Sequence, residues 1–158
     1  MIKKTLILLF CGLLLLSSIG ICSAVSPTTM PITPGINTSA PYGDDKFKAL
    51  VDPVIKGLTT TKLTSTERMD LQSVYYQAAA MKVSKEFYPV ATNITKLLFY
   101  LVSANENMDE YNDDTGLGAF DENTRANLLE QAKIDAAAAE KAWYGLTTAY
   151  PNSTLYKK

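Results

Sequence analysis

From Asp44 onward, apolar residues recur at the spacing of a helix. In DDKFKALVDPVIKGL, the positions Phe47, Leu50, Val51, Val54, Ile55 and Leu58 fall on one stripe. Asp44 or Asp45 supplies a cap for its first turn. Pro53 either kinks this helix or opens a second short one capped by Asp52. A second segment begins at Thr64, where Glu67 three places on completes a capping box. Its apolar face runs Leu71, Val74, Ala78 and Met81, then Phe87, Val90, Ala91, Ile94, Leu97, Leu98 and Leu101. The two runs differ in phase by about a residue or two, and Pro89 stands near the change, so the pattern predicts one bent helix over 65–105. The third segment opens at Asp121, a good cap, and stops at Pro151. Between them Leu129, Ala132, Ala136, Ala139, Trp143, Leu146 and Tyr150 alternate spacings of 3 and 4, the seam of a helix packed along a partner. No strand pattern competes. The expected fold is all-α, a small antiparallel helical bundle of one short and two long helices over 44–151, followed by a short tail at 152–158.

Upstream lies MIKKTLILLFCGLLLLSS, in which Lys3 and Lys4 precede an apolar run from Leu6 to Leu16. Eleven residues fall short of the roughly 18–20 that a spanning helix needs, whereas a secretory signal needs no more. Cys22 and Ala24 occupy the small-residue positions before a cleavage point, so 1–24 reads as a signal peptide and Val25 as the first exported residue. Two alternatives would anchor the protein to a membrane by its N-terminus. One is acylation of Cys22, which the bulky Ile21 before it disfavours; the other is an uncleaved leader. Residues 25–43 hold four prolines with many Thr and Ser, the composition of an extended linker.

Charge and chemistry narrow the function. The only cysteines, Cys11 and Cys22, leave with the signal, so the exported chain has no disulfide. Of 15 basic residues, removal of Lys3 and Lys4 leaves 13 against 16 acidic ones, and no basic patch points to nucleic acid. Histidine is absent throughout. That excludes imidazole bases, His-dependent triads, His- or Cys-ligated zinc and c-type haem attachment. TGLG at Thr115–Gly118 lacks the spacing of a phosphate-binding loop. The reading is a secreted or cell-surface, non-enzymatic module that acts by protein binding or self-association, with no cofactor.

Three groups of residues carry narrower expectations. Between the second and third segments, Asp113, Thr115 and Glu122 align with positions 3, 5 and 12 of a calcium-binding loop, although Tyr111 occupies the first ligand place. The plainer account of that loop is an acidic, solvated turn. Tyr76, Tyr100 and Tyr144 lie on helices away from the apolar stripes and are candidates for contact with a partner. On the back of the third segment, Ile134, Ala138, Ala142, Gly145 and Ala149 form a small-residue groove, to be filled by the first helix or by a second copy of the chain. Three sequons mark Asn37, Asn93 and Asn152 as glycosylation candidates, a number only slightly above chance for this composition.

Overall fold

The computed structural model describes residues 30–58, 63–113 and 121–149 of the chain. Among them the chain is mostly helical, as its periodicity predicts, and comprises four helices with one short parallel strand pair. α1 spans Asp44–Gly57, α2 Ser65–Ala79, α3 Tyr88–Asn112 and α4 Glu122–Ala149. β1 (Gly35–Asn37) pairs with β2 (Lys82–Ser84), placing Gly35 opposite Lys82, Ile36 opposite Val83 and Asn37 opposite Ser84. Residues 1–24, read above as a signal peptide, and the C-terminal tail lie outside the described residues. No described helix is long and apolar enough to cross a membrane.

The bent helix expected over 65–105 is in fact two helices, so the bundle is not built of one short and two long ones. α2 stops at Ala79 and the chain becomes extended at Lys82–Ser84. The Ser84 hydroxyl then accepts the Phe87 N–H at 3.1 Å, satisfying a donor that the start of a helix leaves exposed. Pro89 falls in the first turn of α3, where its missing N–H costs nothing. It starts a helix rather than bending one. The phase slip between Met81 and Phe87 is the footprint of this break, and a three-residue strand is too short to announce itself by alternation.

Two of the expected caps form as read. The Thr64 hydroxyl accepts the Glu67 N–H, and the Glu67 carboxylate accepts the Thr64 N–H at 2.8 Å. Accepting the Thr64 N–H and then the Thr64 hydroxyl holds the Glu67 carboxyl below its ordinary value. Asp121 accepts the Thr124 N–H at 2.8 Å and its carboxyl is lowered for the same reason. α1 runs unbroken through Pro53, but neither Asp44 nor Asp45 caps it; the residue before its first turn is Gly43. Asp44 instead accepts both the N–H and the hydroxyl of Ser84, each at 2.7 Å, tying the start of α1 to β2.

Phe47, Val51 and Ile55 of α1, Leu71 and Ala78 of α2, Val83 of β2 and the inward face of α3 share one buried cluster. α1 packs on α2 and β2, α2 on α3, and the most extensive interface joins α3 to α4. Ala132, Ala136, Ala139 and Leu146 of the predicted seam are buried, with Leu129 and Trp143 half-buried; Tyr150 lies outside the described residues. Small residues let the two long helices approach closely. The same closeness sets α3 against part of the groove. Ala142 is buried, and at Gly145 the Asn93 amide of α3 stands 3.4 Å from where a Cβ would sit, while α1 packs on α2 and β2. Ile134 and Ala138 are half-buried on the remaining flank.

From Met30 the Thr/Pro-rich stretch is extended and lies on the helices. The Ile32 N–H donates to the Tyr75 hydroxyl at 2.7 Å, Thr33 Oγ1 stands 3.5 Å from the Tyr88 hydroxyl, and the Gly35 N–H donates to the Met81 carbonyl at 2.9 Å. Gly43 closes this arm against β2. A Cβ there would stand 2.4 Å from the Lys82 carbonyl oxygen. Met30, Ile32, Ile36 and Tyr42, by contrast, turn their side chains to solvent.

Candidate functional site

The helical spacing of 3 and 4 places Gln72, Tyr75 and Tyr76 on one patch of α2, and Phe99, Val102, Ser103 and Glu106 on one stripe of α3. Where these meet lies a cleft of about 150 Å³ lined by all seven. Its walls are aromatic. The Tyr75 ring lies 5.0 Å from Tyr76 and 5.4 Å from Phe99, both tilted, and Phe99 meets Tyr100 edge-on at 5.2 Å. The arm borders this wall, because the hydroxyl of Tyr75 holds the Ile32 N–H. Burial pushes the Tyr75 phenol up and the Ile32 bond only partly offsets it, so the hydroxyl stays protonated at neutral pH.

Ser103 connects the cleft to a buried polar seam between α3 and α4. Asp135 of α4 is 2 % exposed. One carboxylate oxygen accepts the Ser103 hydroxyl at 2.6 Å and the Asn107 amide at 3.2 Å; the other accepts the Gln131 amide at 3.1 Å. A buried carboxylate needs such donors to replace water. Tyr100 lies on the same face of α3 as Ser103 and Asn107, and its phenol is pushed up by burial and then by the charge of Asp135. The rim is less occupied. Among the described residues, the side chains of Gln72 and Glu106 and the Tyr76 hydroxyl take part in no hydrogen bond or ion pair.

Of the residues singled out in the sequence, Tyr76 lies in this cleft and is 56 % exposed. Tyr100 stands behind it, against Phe99. Tyr144 is exposed on α4, well along the chain from the cleft residues, and Gly145 faces Asn93. Asn93 is therefore half-buried between helices, a poor place for a glycan. Asn37 accepts the Ser39 N–H and donates to the Pro41 carbonyl, each at 3.2 Å. Asn152 lies outside the described residues. So does Thr115 of the calcium reading; Asp113 ends α3 and Glu122 begins α4. Arg125 enters the space beside Glu122, donating to the Tyr111 carbonyl at 3.2 Å and lying over the Tyr111 ring. A guanidinium there works against a bound cation.

Phe99, Ser103, Glu106 and Asp135 were not legible as a site, because each alone is an ordinary helical residue. Only the i, i+3, i+7 run Tyr100, Ser103, Asn107, polar within an apolar helix, marks the seam in the sequence. No protein-family model matches the chain, and no curated protein or solved structure matches it either.

Proposed function

We propose that the protein is a secreted or cell-surface, non-enzymatic helical module, an antiparallel bundle carried behind a signal peptide, that acts by binding a protein partner. The observation that carries this reading is the α2–α3 cleft. Its unpaired polar groups and aromatic walls lie next to an arm that exposes Ile32 at 59 % and Ile36 at 45 %. Exposed aromatic and aliphatic side chains beside unused hydrogen-bonding groups are the makings of a protein contact. The cleft is also smaller than the roughly 300–1,000 Å³ of a cofactor or drug-sized pocket, which favours a side chain as occupant. Chemistry is poorly served. The Ser103–Asp135 pair resembles a nucleophile with its base, yet Asp135 is already committed to two amides and the chain has no histidine to relay a proton.

The reading is tested by tagging the protein in its native source and comparing it with a variant carrying Ile32→Ser and Ile36→Ser. The wild type should be recovered with a protein partner at fixed stoichiometry, and a chelator should not release it. The variant should keep its melting temperature, since both side chains are exposed, and lose the partner. Equal recovery with both proteins, or no partner with either, would contradict the proposal.

A further inference from the structure

We infer that the α2–α3 cleft receives the basic side chain of the partner protein, its cationic head held by the faces of Tyr76 and Phe99 and by the carboxylate of Glu106. This inference rests on the proposal that the protein acts by binding, and it names the chemistry of the contact. Three observations support it. First, the seven lining residues include one carboxylate and no basic residue. Behind them lies a second carboxylate, Asp135, which is held by three neutral donors and has no ion-pair partner among the described residues. The buried Asp135 is weakly screened and the half-buried Glu106 lines the cleft itself, so both carboxylates favour a cation there. Secondly, the ring faces supply the complementary term, since a guanidinium or ammonium group over an aromatic ring is attracted by its quadrupole. Lys48 already does this elsewhere in the chain, its ammonium 4.9 Å from the centre of the Phe87 ring. Thirdly, the groups that would complete the contact are unused. The side chains of Gln72 and Glu106 and the hydroxyl of Tyr76 take part in no hydrogen bond or ion pair within the described chain, whereas the nearby Arg68 is already paired with Asp109. An unpaired carboxylate beside aromatic walls, in a space sized for one side chain, discriminates by charge rather than by bulk.

The experiment is an NMR titration of the purified ¹⁵N-labelled protein with N-acetyl-arginine amide, set against N-acetyl-citrulline amide, which has nearly the same shape but no charge. The arginine probe should give saturable shifts centred on residues 72–76 and 99–106 and bind about tenfold more tightly than the citrulline probe. Glu106→Gln should remove most of that tenfold preference, and Tyr76→Ala should weaken the arginine probe further. Both positions line the rim, and unchanged spectra elsewhere show that the variants remain folded. Equal binding of the two probes, a preference that survives Glu106→Gln, or shifts that map away from the cleft would each overturn the inference. Loss of the partner on changing Ile32 and Ile36 is read separately. If that loss is found and the arginine preference is not, the protein binds a partner by other chemistry and only this inference fails.

Discussion

Gly43→Ala should detach the arm from the helices and cost about 1–3 kcal/mol of stability, because the added methyl would have to occupy space already filled by backbone. The obstruction is the Lys82 carbonyl oxygen, 2.4 Å from the position a Cβ would take. A side-chain tip could swing away, but a carbonyl moves only with its strand. The objection is to volume alone, since φ at Gly43 is −84° and any residue adopts it. Relieving the clash separates β1 from β2 and pulls the Ile32 N–H off Tyr75, so the arm should become sensitive to protease as denaturant stability falls. Gly57→Ala is the control. It lies at the end of α1 with nothing within 4 Å of its would-be Cβ, and it should be neutral or slightly stabilising through helix propensity. Equal behaviour of the two variants would mean that the arm is not seated as described.

Asp135→Ala should be costlier still, about 2–5 kcal/mol, because it deprives three buried or half-buried donors of one acceptor. Ser103, Asn107 and Gln131 all converge on this carboxylate from the interface that joins the two longest helices. The asymmetry of buried hydrogen bonds makes a sharper test available. Replacing Asp135, Ser103 and Asn107 together by Leu, Ala and Leu removes the acceptor and two of its three donors at once, leaving only the Gln131 amide to find another partner, and should recover part of the loss. Denaturant unfolding of the single and triple variants decides it. If the triple variant is no more stable than Asp135→Ala, the seam is held by shape and not by its polar network.

These elements show why parts of the architecture were legible and others were not. Thr64 with Glu67 and Asp121 with Thr124 act within a single turn, so their caps could be read directly from residue type and spacing. The Ala132–Leu146 seam was legible because one continuous helix keeps its phase over 28 residues. Ala80–Phe87 was misread because proline has two roles in a helix. Which role Pro89 plays depends on Ser84 and Asp44, the latter some 40 residues away in sequence. Asp44, one of the two caps expected for its own helix, is claimed by β2 instead, a tertiary choice no local pattern records. The cleft was hidden for the same reason. Tyr76 could be picked out as an exposed tyrosine, but Glu106 gains meaning only when α2 folds back to place aromatic rings beside it.

The central claim, that a protein partner is bound across the α2–α3 cleft, is tested most directly by tyrosine nitration of the complex recovered from its native source. Tyr76 and Tyr144 are both exposed in the isolated chain, at 56 % and 67 %, and should react at comparable rates there. In the complex Tyr76 should be strongly protected while Tyr144, on α4, continues to react. Protection of Tyr144 with Tyr76 left reactive, or no protection of either, would contradict the account.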